Sequence, residues 1–142
     1  MIEHSVDIQA APYRVFSLYS DIGAWRRWDS EVSDVALPDG LKPGSKGWLK
    51  PRAGPKAKIK VTSVEHGVSF LVESRLLLCR MLFDHRLMAI ASGTRATHTV
   101  RFEGFLAPLF RVLIGRAVDA TLPDTLAGLK RHAEALETGT GS

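Results

Sequence analysis

From Lys56 to Val61 the chain alternates lysine with an apolar residue: Lys56-Ala57-Lys58-Ile59-Lys60-Val61. Only an extended backbone puts every second side chain on one face, so this segment reads as a strand, buried on one side and wet on the other. Half-wet strands belong to antiparallel sheets covered on one face. The rest of the chain must supply more strands and a covering layer.

Both are present. Val6, Ile8 and Ala10 alternate with Ser5, Asp7 and Gln9, which predicts a first strand over residues 2–9. Ala11-Pro12 opens a helix with Val15, Phe16, Leu18 and Tyr19 on its apolar face, ending at Asp21-Ile22-Gly23. Trp25 and Trp28 fall in a short second helix or turn, with Trp28 expected in the core. Strands are then predicted over 31–37, 47–52, 56–61, 70–75, 79–89 and 94–103, separated by Gly- and Pro-containing turns. Beyond Gly104 the pattern becomes helical, from Ala107 to about Leu136. Leu122, Leu126, Leu129, Ala133 and Leu136 form one stripe, with a kink expected at Pro123.

The chain has 142 residues, enough for one domain, expected over 1–137 with a disordered tail at 138–142. Its 45% hydrophobic and 24% charged residues exclude a disordered chain. No apolar run reaches the roughly 18 residues of a membrane span. The acidic start Met1-Ile2-Glu3-His4 is unlike a signal peptide, and Cys79 is the only cysteine, so a cytoplasmic location is expected. The net charge is +4, and seven Lys or Arg residues between Gly40 and Val64 face no acid there. This block reads as a solvated sheet face. It lacks the interleaved aromatics of a nucleic-acid site, and no nucleic-acid partner is expected.

Several motifs share an order with a known superfamily. They are Ala11-Pro12 with Val15-Phe16, then Ser20-Asp21 and Trp25-Arg26-Arg27-Trp28-Asp29, then residues 41–47 (LKPGSKG), 93–100 (GTRATHTV), 103–109 (EGFLAPL) and 129–134 (LKRHAE). In that order they resemble the SRPBCC superfamily, which includes START-like lipid carriers and polyketide cyclase/dehydrase proteins. The resemblance implies an α+β helix-grip fold. In it a curved seven-stranded antiparallel sheet wraps around a long C-terminal helix, with two short helices after the first strand. It also implies a cavity between sheet and helix, but no universal catalytic motif, and fold does not fix function.

The most informative residues are two histidines. Met81, Phe83, His85 and Leu87 share one strand face, and Ala96, His98, Val100 and Phe102 share a face of the next strand. A tight turn near Ala91–Gly93 sets His85 opposite His98, both toward the apolar side. Neutral imidazoles offer a donor and an acceptor each. The pair reads as ligand contacts, as a self-satisfied part of the core, or as an acid or base. Two histidines fall one ligand short of a usual zinc set, and no metal or cofactor is expected. His4, His66 and His132 are expected at the surface. Asp119 is a further candidate, facing inward with Arg116 as partner, and Trp48 and Arg52 share a strand face that could look into the pocket.

The expected pocket is thus lined by Phe70, Phe83, His85, His98, Val100 and Phe102, with Trp48, Arg52 and Asp119 as further contacts. Two functions follow. One is binding or transport of a hydrophobic small molecule, such as a lipid, isoprenoid or aromatic polyketide. The other is a cyclase or dehydratase using His85 or His98. The apolar surfaces favour binding over catalysis. Leu76-Leu77-Leu78 sits at an expected turn, where Gly, Asn, Asp or Pro is usual. It reads either as buried against the long helix or as an exposed tip, flanked by Arg75 and Arg80, that touches an anionic membrane or a partner protein.

Overall fold

The computed structural model describes residues 1–139. Seven strands form one antiparallel sheet in the order β1-β7-β6-β5-β4-β3-β2. They are β1 (Ile2–Ile8), β2 (Val32–Ala36), β3 (Lys46–Pro51), β4 (Ala57–Glu65), β5 (Ser69–Leu76), β6 (Cys79–Ile90) and β7 (Gly93–Glu103). Helix α1 (Pro12–Ser20) and the short α2 (Trp25–Trp28), entered through a 3-10 turn at Ile22–Ala24, follow β1. Helices α3 (Ala107–Leu113) and α4 (Gly115–Thr138) follow β7. This is the helix-grip architecture expected from the sequence.

Curvature has a local source. Register shifts between Val32 and Asp34 and between Val61 and Ser63 insert bulges, which bend a strand and increase its twist. The concave face carries Ile8, Ile59, Val61, Phe70, Val72, Leu87 and Ala96, packed against Leu126, Leu129 and Ala133 of α4. The lysines paired across β3 and β4, Lys46 with Lys60, face outward.

Helix α4 is held by its close approach to the α1–α2 corner. A Cβ built on Gly128 would lie 1.9 Å from the Trp28 carbonyl oxygen, so only glycine lets the two backbones meet there. One turn earlier, Thr125 Oγ1 donates to Asp29 Oδ1 at 2.9 Å. Towards the C-terminus, Glu134 accepts from the Gln9 N–H at 2.8 Å and Lys130 Nζ donates to the Asp7 carbonyl at 2.8 Å.

The C-terminal helical stretch differs from expectation in one respect. It is interrupted at Ile114, where no break was expected, and α4 runs on through Pro123, which lies inside it as expected. Helix α3 and the first turn of α4, through Val118, pack on a small cluster with Cys79, Val100 and Phe102, whereas the rest of α4 covers the main core. Pro123 is solvent-exposed, so the carbonyl it leaves without a donor can bond water. Thr138 closes α4 and Gly139, at φ 75°, caps it. The remainder of the expected tail, 140–142, lies outside the described residues.

Candidate ligand-binding site

The β6–β7 hairpin has the register read from the sequence: His85 lies opposite His98. The row continues across the sheet, because His98 lies opposite His4 on β1 and His85 opposite Phe70 on β5. Three imidazoles therefore stand side by side on the concave face.

His85 and His98 sit deep in this row. The His85 ring stacks on Phe70 at 3.9 Å and on Phe83 at 4.7 Å, and meets His98 edge-on at 4.6 Å. His85 Nδ1–H donates to the Phe70 carbonyl at 3.3 Å. Nε2 of His98 shares a 2.8 Å hydrogen bond with the Tyr19 hydroxyl, presented by α1. Nδ1 of His98 is buried and has no partner among the described residues. Burial disfavours the charged ring, pushing His98 down to about 3. Burial also pushes His85 well below its usual value; the neighbouring His98 adds to this, and the bond to the Phe70 carbonyl opposes it. Burial pushes the Tyr19 phenol up. At neutral pH the cluster is uncharged, and Phe70, Phe83, Tyr19 and Trp25 enclose it.

His4 differs from its expected surface position. It points to the concave side, and its Nε2–H donates to Asp119 Oδ1 of α4 at 2.6 Å. The alternation that places Val6 and Ile8 inward applies equally to His4. Asp119 is thus partnered by His4, not by Arg116, and its side chain remains 62% exposed.

Beside this pair lies an open groove of about 200 Å³ between β1, β7 and the junction of α3 with α4. Met1, Ile2, Val100 and Phe102 give its apolar surface, and Arg111, Arg116 and Asp119 its polar side. Gly115 keeps the floor open, because a Cβ there would sit 3.4 Å from Ile2 Cδ1 and 3.8 Å from Phe102 Cε2. Val100, Phe102 and Asp119 of the sequence-derived set come together here. Phe83 pairs with Val100 from the neighbouring strand, and Phe70, His85 and His98 form the packed layer beyond.

Trp48 and Arg52 lie elsewhere. Trp48 pairs with Lys58, whose neighbour Ile59 faces the core, so Trp48 points to the convex side, with the Lys56 ammonium 3.9 Å over its ring. Arg52 is exposed in the turn after β3. Alternation alone put these two on one face but not on the concave one.

Among the described residues no three His, Cys, Asp or Glu side chains are grouped to hold a metal ion, and no helix is long and apolar enough to cross a membrane.

A sequence profile of the family described as "polyketide cyclase / dehydrase and lipid transport" matches residues 1–134. No curated protein matches the chain. Among solved structures, TTHA0849 of Thermus thermophilus is similar at 19% identity and a TM-score of 0.71, over 95% of this chain and 97% of that one. The protein jhp0584 of Helicobacter pylori is similar at 12% identity and a TM-score of 0.75, over 93% and 86%. DynU16, from the dynemicin biosynthetic locus, is similar at 19% identity and a TM-score of 0.70, over 97% of this chain and 47% of that one. At these identities the likeness is one of fold.

Proposed function

Because the chain belongs to the polyketide cyclase/dehydrase and lipid transport family, within the SRPBCC superfamily, we propose that it binds a hydrophobic small molecule in the groove between β1, β7 and the start of α4. Lipids, isoprenoids and aromatic polyketides are the classes considered, with the cytoplasm as the setting. The observation that carries this reading is the cavity with Ile2, Val100 and Phe102 on its walls. Burial of apolar ligand surface there contributes about 25 cal/mol per Å². At about 200 Å³ the cavity is smaller than a drug-sized pocket. It suits one ring or one chain end, with Phe83 and the histidine layer behind it as the contacts of a deeper-seated ligand. Native mass spectrometry of the purified protein tests the reading. A co-purified apolar molecule, released into organic solvent, is the expected result. Failure to retain any molecule, together with failure to bind added lipid, isoprenoid and aromatic probes, overturns it.

A second reading draws on the Tyr19–His98 bond. A neutral, hydrogen-bonded imidazole can orient a substrate carbonyl or hydroxyl, and His98 or His85 could serve cyclase or dehydratase chemistry in that way, burial having weakened both as bases. This reading requires substrate to enter the packed aromatic layer. It fails if ligand contacts stop at Val100 and Phe102.

The reading extends to where ligand is exchanged. Leu77 is 71% exposed, Leu78 63% and Phe105 84%. Leu109, Val112 and Leu113 add the outer face of α3. The patch is continuous, because the Leu106 N–H donates to the Leu78 carbonyl at 3.1 Å and ties the two loops together. Leu78 also holds φ at 48°, a conformation that favours glycine, so a strained backbone keeps a leucine in water. The exposed Arg75 and Arg80 flank the leucine turn in sequence, which suits contact with an anionic membrane. Co-sedimentation with anionic vesicles that weakens with salt and with Leu77→Ser is expected. A protein that stays in the supernatant at low salt excludes it, and a dimer seen under the same conditions assigns the patch to protein contact.

A further inference from the structure

The cavity has two chemically distinct sides. Its apolar side is Met1, Ile2, Val100 and Phe102 from the sheet, and its polar side is Arg111, Arg116 and Asp119 from the helices. The polar groups are not equally free. Asp119 is engaged by His4 at 2.6 Å. Arg111 uses one donor on the Phe102 carbonyl at 3.3 Å, which ties its guanidinium to the cavity wall. The Arg116 side chain makes neither a hydrogen bond nor an ion pair among the described residues. Two guanidiniums therefore line the groove with one carboxylate, of which one oxygen is taken by His4.

From this imbalance we infer that the ligand is an anionic amphiphile: its hydrocarbon part lies on Ile2, Val100 and Phe102, and its terminal carboxylate is bound by Arg116 with Arg111 beside it. This rests on the proposed ligand-binding role and adds the charge of the ligand and the residue that selects it. A guanidinium presents parallel N–H donors that match a carboxylate in two-point fashion. An alcohol of equal length gains a hydrogen bond to the guanidinium but no attraction between opposite charges, and a cationic amphiphile meets two like charges against the single carboxylate of Asp119.

Calorimetric titration of the full chain with decanoate, 1-decanol and decyltrimethylammonium tests this. At neutral pH decanoate should bind at least about tenfold more tightly than decanol, and the cation more weakly than either. Arg116→Gln, at an exposed position that the fold does not need, should bring decanoate to within about threefold of decanol and leave decanol unchanged. Arg111→Gln should narrow the gap in part. Equal affinity of the wild type for decanoate and decanol overturns the charge inference and leaves the ligand-binding role standing. So does a preference that survives Arg116→Gln. Binding of none of the three overturns both.

Discussion

The hydroxyl of Tyr19 and Nε2 of His98 meet in the driest part of the fold. Tyr19→Phe leaves both ring nitrogens of His98 without a partner. An unsatisfied buried polar group costs about 1–3 kcal/mol, and the variant should lose that much in chemical denaturation. Tyr13→Phe, at an exposed site, should stay within about 0.5 kcal/mol of wild type. A Tyr19→Phe protein as stable as wild type contradicts the bond. The same cluster sets a pH dependence. His98 is held at about 3 in the folded chain against 6.5 unfolded, and His85 is also depressed, both chiefly by burial. Below pH 6.5 the unfolded chain takes up protons that the folded chain refuses. The contribution to stability is thus complete above pH 6.5 and falls towards pH 3, by up to about 1.4 kcal/mol per pH unit for each group. Denaturation midpoints between pH 8 and 4.5 should decline on the acid side, and His98→Gln should decline less. At this scale the sequence was partly legible. Strand alternation set His85 and His98 on the concave face, and the same signal held His4 without its being read. Tyr19 was legible on the apolar face of α1, but its bond to His98 was not, because which helix residue meets β7 depends on how α1 packs.

Among the elements, α4 depends on its contact with α2. Gly128→Ala would set a methyl group against the Trp28 carbonyl, which belongs to the backbone and cannot swing away. The helix must shift, and a loss of more than about 2 kcal/mol is expected by thermal or chemical unfolding. An unchanged stability would mean that α4 does not approach α2 this closely. Strands and helices were legible because their periods of two and about 3.6 are local. The two-residue turn Ala91-Ser92 leaves few alternatives for the β6–β7 register. The break at Ile114 was not legible. Proline is a visible mark in a helix, whereas Ile114 carries none; the interruption there accompanies a change from the small cluster to the main core that only the folded chain defines.

Across the whole molecule, charge and apolar surface are segregated. Lysines cover the convex side of β3 and β4, an apolar patch crowns the β5–β6 turn and α3, and the cavity opens beside that patch between β7 and α4. The three-leucine turn was legible as an anomaly in the sequence, and the structure resolves it as an exposed tip for Leu77 and Leu78. The cavity was legible only in outline. Val100 and Phe102 follow from alternation, whereas Gly115, Arg111 and Arg116 enter through the α3–α4 break. The most direct test of a ligand site at this break is an amide-shift titration of the isotope-labelled protein with decanoate, geraniol and 1-naphthol, repeated on Gly115→Leu, whose side chain would fill the cavity. Saturable shifts centred on Ile2, Val100, Phe102 and Gly115 for at least one probe, lost in Gly115→Leu, are the expected result. Absence of saturable shifts for all three probes, or shifts that persist in Gly115→Leu, would contradict a ligand site between the sheet and α4.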